Sequence, residues 1–279
     1  MRGRFRPGWR HSRAGRGAKP VLQVITLAVV GLVSACGTTS SPRADSPRPV
    51  LAVHVSAAQM ARLPMATTFG RSPTAPQDPD PFAPETGTVL HPEVTQVVYA
   101  RPGGPPVAAL PTTEIQNPTW VPVVQSQSGW DRVLLPTRPN RSTGWIYLGD
   151  GRLQTAYSAY RVEINLAAYQ LTVFDAGRSL GSWTVAVGAP GTRTPTGRTF
   201  VLASLSPVHP TYSPLILPLG LHSDSLNTFG GGPGTVGLHG WPDPAVFGRA
   251  ISHGCVRVPT PALRVLSRVP LGSSVVIVS

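Results

Sequence analysis

The chain has 279 residues, enough for two modest domains plus tails. Only 13% of them are charged, while glycine and proline number 29 and 32, a composition that favours short strands and turns over long helices. The formal charge of +12 is no nucleic-acid signal: seven of the 24 basic residues precede position 20, leaving 17 against 12 acids from Cys36 onward, with no basic stripe interleaved with aromatics.

The N-terminus has a basic head from Arg2 to Lys19, then an apolar run from Val21 to Val33, then small residues. That is the layout of a secretory signal, and the run is short for a membrane span. It ends in Val33-Ser34-Ala35-Cys36, followed by Gly37-Thr38-Thr39-Ser40. The stretch resembles the bacterial lipobox. One reading is an ordinary signal peptide whose cysteine is incidental; the resemblance instead implies a signal peptide over residues 1–35 and lipidation at Cys36. The protein would then be exported and held to the cell membrane through an N-terminal lipid, facing the cell wall.

Residues 36–90 are rich in Pro, Ser, Thr and Ala and read as a tether, mostly disordered. Within it, Val50 to Met65 is more apolar and suits one strand or a short helix. Residues 91–150 read as a small β unit. Val94 to Ala100, Trp120 to Gln125, Trp130 to Leu135 and Gly144 to Leu148 are short β-prone runs separated by turns. The unit resembles a bacterial SH3-like barrel, with its Trp-x-Arg-Val and Gly-Trp-Ile strands. Trp120, Trp130 and Trp145 are either its core or a ligand face.

From residue 158 a second β pattern begins. Val162, Ile164 and Leu166 alternate with polar residues; Ala168 to Phe174 follows, then a turn at Asp175-Ala176-Gly177-Arg178 and a strand from Trp183 to Val187. Thr194-Pro195-Thr196-Gly197 is a turn before the strand Thr199 to Leu202. Residues 205–234, with four prolines before Gly230-Gly231-Gly232, read as one long irregular stretch. His209, Tyr212 and His222 in it are read as surface or packing residues. After Cys255, Thr260 reads as an N-cap and Pro261 as the first residue of a helix reaching Val269. Val275 to Val278 reads as a central last strand.

Cys255 is one of two cysteines, and the other sits at the processing site. It follows Ser252-His253-Gly254, and His239-Gly240 lies sixteen positions upstream. A cysteine nucleophile needs a base to form thiolate and donors to hold an oxyanion, and this stretch offers both. His239, His253 and Cys255 make a poor zinc set, so no metal is expected.

Leu238-His239-Gly240 followed by Ile251-Ser252-His253-Gly254-Cys255-Val256-Arg257 resembles the signature of the L,D-transpeptidases (YkuD domain), over Tyr160 to Ser279. The resemblance implies an all-β chain: a YkuD-type β-sandwich catalytic domain over residues 158–279, with one short helix after the cysteine, preceded by the SH3-like barrel. It implies Cys255 as nucleophile and His239 as base, with the Gly240 carbonyl holding the other imidazole nitrogen. His253 would orient the loop and the substrate. The amides of His253, Gly254 and Cys255 would form the oxyanion hole, and Ser252 would bond locally. Arg257 is either a structural anchor or a carboxylate clamp. The implied reaction needs no cofactor and acts on peptidoglycan stem peptides. Two other readings stay open: a hydrolytic L,D-carboxypeptidase of the same fold, and a non-catalytic wall-binding scaffold.

Overall fold

The computed structural model describes residues 50–279. The expected signal peptide, Cys36 and the first part of the expected tether lie outside these residues. After a four-residue helix α1 (Ala57–Met60), nine strands follow: β1 (Thr88–Pro92), β2 (Gln96–Tyr99), β3 (Pro106–Leu110), β4 (Thr113–Glu114), β5 (Asn117–Pro118), β6 (Val121–Gln127), β7 (Trp130–Leu134), β8 (Thr143–Tyr147) and β9 (Leu153–Tyr157). Seven of them form one antiparallel sheet in the order β3-β2-β8-β7-β6-β1-β9, and β4 and β5 make a separate small hairpin. Val98, Val121, Val133 and Ile146 are fully buried beneath the sheet. Trp130 and Trp145 are buried with Tyr99 in a cluster, which makes them core rather than a ligand face. Trp120 is half-buried and stacks on His91.

The remaining strands are β10 (Tyr160–Asn165), β11 (Gln170–Asp175), β12 (Arg178–Thr184), β13 (Val187–Gly188), β14 (Gly197–Phe200), β15 (Ile216–His222), β16 (Thr235–Gly240), β17 (Ala250–Ser252), β18 (Val256–Val258) and β19 (Ser274–Val278). Helix α2 (Thr260–Leu266) comes between β18 and β19. One sheet runs β12-β11-β10-β19-β14; β19 is central, parallel to β10 and antiparallel to β14. A second sheet runs β15-β16-β18, and β13 pairs with β17. Val162, Ile164, Leu171 and Val173 of the first sheet share one core with Leu217 and Leu238 of the second and with Leu263 and Leu266 of α2. The alternation seen in the sequence is therefore the inward face of β10, and the fold is all-β with a short helix after the cysteine.

Several expectations change. Residues 50–90 are largely packed rather than disordered. Trp130 donates its indole N–H to the Val50 carbonyl at 2.7 Å, and the Tyr99 hydroxyl donates to Val53. Further on, Ala66 and Pro64 bond Ala109 of β3, while Asp78 forms a buried pair with Arg198 of β14 at 2.7 Å. A Pro-rich segment has no core of its own, and this one takes its partners from two sheets.

The expected linker after residue 150 is also occupied, because β9 pairs with β1 along its whole length. Phe200 and Leu202 from the second half of the chain are fully buried in the core of the first sheet, and the described residues form one compact unit.

The long irregular stretch contains β15. Its Pro218 and Gly220 break the strand pattern, yet Ile216 and Leu217 pair with His239 and Leu238 before the register shifts. The Pro218 carbonyl still accepts from the Leu202 amide, a bond that does not need a proline N–H. Helix α2 starts one residue early, with Pro259 at the cap position and no side-chain cap bond, and stops at Leu266 instead of Val269.

Candidate active site

Strand β16 is apolar and buried because it lies between β15 and β18, and it carries His239 near its end. Its parallel register with β18 sets Leu238 beside Val256 and His239 beside Arg257. Continued one step back, that register brings Cys255 to Gly237. The loop from Ser252 to Cys255 is clamped on both flanks. On one side β17 pairs with β13; on the other, Arg257 exchanges two backbone hydrogen bonds with Ala186 at 2.9 and 3.0 Å.

His239 and Cys255 line one cleft of about 430 Å3, together with His253, Arg257, Tyr212 and Trp241. His239 is 7% exposed, and Cys255 is half-buried and the free cysteine among the described residues. The His239 Nδ1 lies 2.8 Å from the Gly240 carbonyl. A carbonyl only accepts, so Nδ1 carries the proton and Nε2 of the neutral ring keeps its lone pair. Gly240 is itself held, because its amide donates to Ser213 Oγ at 2.7 Å. A Cβ at Gly240 would come 3.1 Å from that same Ser213 oxygen, so the close packing favours glycine.

Burial sets the electrostatics of the pair. It pushes the His239 imidazolium below its ordinary range; the Gly240 hydrogen bond opposes this and Arg257 adds to it. Burial also pushes the Cys255 thiol up, against the pull of the Gly237 backbone amide and of Arg257. Both effects favour an uncharged thiol beside an uncharged imidazole at rest. Burial raises Tyr212 as well, with a smaller contribution from Cys255.

The predicted supporting residues fall into different places. Ser252 Oγ accepts from the Gly254 amide at 3.1 Å and donates to the Cys255 carbonyl, which is local bonding as expected. That bond commits the Gly254 N–H to Ser252, so of the three amides expected as oxyanion donors this one is already partnered. Gly254 has φ +120, a conformation that suits glycine. His253 is exposed and stacks on Phe229 at 4.9 Å. Arg257 stacks over Trp241 with its guanidinium carbon 3.6 Å from the ring centre, and its buried Nε has no hydrogen-bond partner among the described residues. The stack and the unpartnered donor leave both the anchor and the carboxylate-clamp readings of Arg257 open.

The sequence reading takes Tyr212 only as a surface or packing residue and Thr194 only as part of a turn, and it does not single out Trp241 or Ser213. Tyr212 packs edge-on to His239 with ring centres 4.9 Å apart. Trp241 directly follows His239-Gly240, which was a usable signal; Tyr212 and Ser213 sit among prolines and offered none. The Thr194 hydroxyl bridges the Gly188 amide and the Gly254 carbonyl, so the Thr-Pro turn positions the thiol loop. Among the described residues no group of three or more His, Cys, Asp or Glu side chains is placed to hold a metal ion.

This fold and cleft define a cysteine–histidine site on a β-sandwich. Residues 159–277 match the family model of YkuD, the L,D-transpeptidase catalytic domain. No curated protein matches the chain. Among solved structures, it is similar to an L,D-transpeptidase from Mycobacterium smegmatis, at 16% identity over 56% of this chain and 80% of that one, with a TM-score of 0.36. It is also similar to the catalytic domain of an L,D-transpeptidase from E. faecium, at 20% identity over 43% and 96% of the two chains (TM-score 0.34). A third is an L,D-transpeptidase from Mycobacterium tuberculosis H37Rv, at 13% identity over 72% and 100% (TM-score 0.39).

Proposed function

We propose that the protein cross-links peptidoglycan stem peptides through a thioester on Cys255. The observation that carries this reading is the shared cleft of Cys255 and His239, with the Nδ1 proton committed to the Gly240 carbonyl. His239 Nε2 takes the thiol proton as Sγ attacks the carbonyl carbon at the L-centre of the donor's diamino acid. The amides of His253 and Cys255 face the charge that develops on the carbonyl oxygen. The carbon–nitrogen bond breaks, and the imidazolium returns its proton to the amine of the departing D-Ala. A side-chain amine of a second stem then attacks the thioester. His239 accepts that amine's proton and passes it to the leaving sulfur, which restores the thiol, and the new amide joins two diamino acids. Because burial disfavours both charged forms, the proton moves with the attack instead of resting on a preformed thiolate–imidazolium pair.

The purified full chain is incubated with a tetrapeptide stem and the products are weighed by mass spectrometry. Cross-linked dimer plus D-Ala, lost in Cys255→Ala, supports the reading. Free tripeptide alone assigns the site to a hydrolytic carboxypeptidase, and an inert thiol assigns the chain to a wall-binding scaffold. The SH3-like reading of the first sheet and the lipid anchor at Cys36 belong to the same proposal. Cys36→Ala should release the protein from the membrane fraction or leave it uncleaved; an unchanged fractionation with an unlipidated mature N-terminus would rule the anchor out.

A further inference from the structure

Ile115 lies outside the matched region, in the β4–β5 hairpin of the N-terminal half. It nevertheless lines the cleft that holds Cys255 and His239. Both residues at the hairpin tip are left-handed, Ile115 at φ +45 and Gln116 at φ +59. A β-branched residue is rarely found there; Asn or Gly would make the same turn without strain. Such strain persists where the surroundings over-determine the backbone.

Here they do. Asn117 Nδ2 donates to the Ile115 carbonyl at 2.8 Å, and its Oδ1 accepts from the Ser204 amide of the catalytic half at 3.2 Å. Glu114 is buried, and its Oε1 accepts from the Thr68 amide at 3.0 Å. The hairpin is thus fixed from the preceding segment and from the catalytic half. Its branched apolar side chain packs in part against the core that holds Phe200 and Leu202, and it also lines the cleft together with Ile216, Pro218 and Phe229. Turn chemistry does not explain an isoleucine at this tip. An apolar wall facing a peptide would explain it, because an aliphatic part of the substrate would complete the burial.

We propose that Ile115 is a substrate-binding residue of the catalytic cleft, contributed by the N-terminal half and packing on an aliphatic part of the peptide substrate. This rests on the peptide reading of the site above.

The test compares the full chain with Ile115→Ala, Ile115→Gly and Ile115→Val. Each is assayed for turnover of the tetrapeptide stem and for Cys255 alkylation by iodoacetamide, which is too small to need the wall. KM should rise about tenfold in the alanine and glycine variants, the scale of a lost apolar contact. Alkylation should hold its wild-type rate in both, and kcat should stay within about twofold. Valine should restore KM. Glycine favours the left-handed backbone, so it remains informative should alanine disturb the hairpin. An unchanged KM in both variants overturns the proposal, as does alkylation slowed in step with turnover, which would make the hairpin a support of the site. A wild-type chain that is alkylated but never turns over the peptide overturns the peptide reading itself, and this proposal with it.

Discussion

The Thr194 hydroxyl donates to the Gly254 carbonyl across 2.8 Å and accepts from the Gly188 amide at 3.0 Å. One buried hydroxyl therefore joins the end of β13 to the loop that carries the thiol. Thr194→Val keeps the volume and leaves two buried backbone groups unpartnered, each costing about 1–3 kcal/mol. The variant should melt at a lower temperature and turn over peptide more slowly, while Thr194→Ser should recover both. Thermal denaturation and the peptide assay check this. Wild-type turnover in the valine variant would remove Thr194 from the positioning of the loop.

His239 and His253 should separate by pH. Burial holds His239 below the ordinary histidine value of 6.5, and a protonated imidazole cannot take the thiol proton. The acid limb of kcat/KM should therefore lie below pH 6.5 in the wild type. His239→Ala should lower turnover by about 10²- to 10⁴-fold and abolish that limb. His253→Ala should reduce turnover less and keep the limb. A limb that vanishes only in His253→Ala would exchange the two roles.

Asp78 and Arg198 form a two-point ion pair at 2.7 and 2.8 Å, with side chains only 1% and 3% exposed. Asp78→Ala strands the guanidinium in the interior and should cost about 3–5 kcal/mol. The double variant Asp78→Leu with Arg198→Leu should lose less than the single one, since it buries no lone charge. Chemical denaturation of both decides this. Equal losses would mean that packing of the 64–87 segment, rather than the pair, sets the stability.

Glu114 gives a pH signature. Burial raises its carboxyl from 4.5 to about 7, against the Thr68 hydrogen bond. Between those values the folded chain keeps a proton that the unfolded chain has lost, so this group's contribution to stability falls as pH rises through about 7. Glu114→Gln should flatten the dependence over that window and exceed the wild type in stability above pH 7. Fully buried His222 acts in the opposite sense: burial lowers it to about 4, so its contribution is lost as pH falls from 6.5 towards that value. The difference between wild type and Glu114→Gln isolates the carboxyl. Parallel pH profiles for the two proteins would contradict the assignment.

The sequence by itself determined the β-class, the inward face of β10, the central place of β19 and the His239-Gly240 and Ser252-to-Cys255 block. Alternation and motif chemistry are relations between near neighbours, so they survive without a fold. The hydrogen bond from His239 to the Gly240 carbonyl was implied only by the resemblance of that motif to a known signature, and the structure contains it. Only the tertiary structure decided that Ile216 to His222 is a strand, because its ladder is supplied by β16 and Leu202 while Pro218 and Gly220 hide it locally. It also decided that the Pro-rich segment packs, since its partners Ala109 and Arg198 lie far along the chain. Tyr212, Thr194 and Ile115 reach the site from a proline-rich stretch, a turn and a separate hairpin. Contacts between distant segments are fixed by how buried faces match in space, and no pattern along the chain encodes that match.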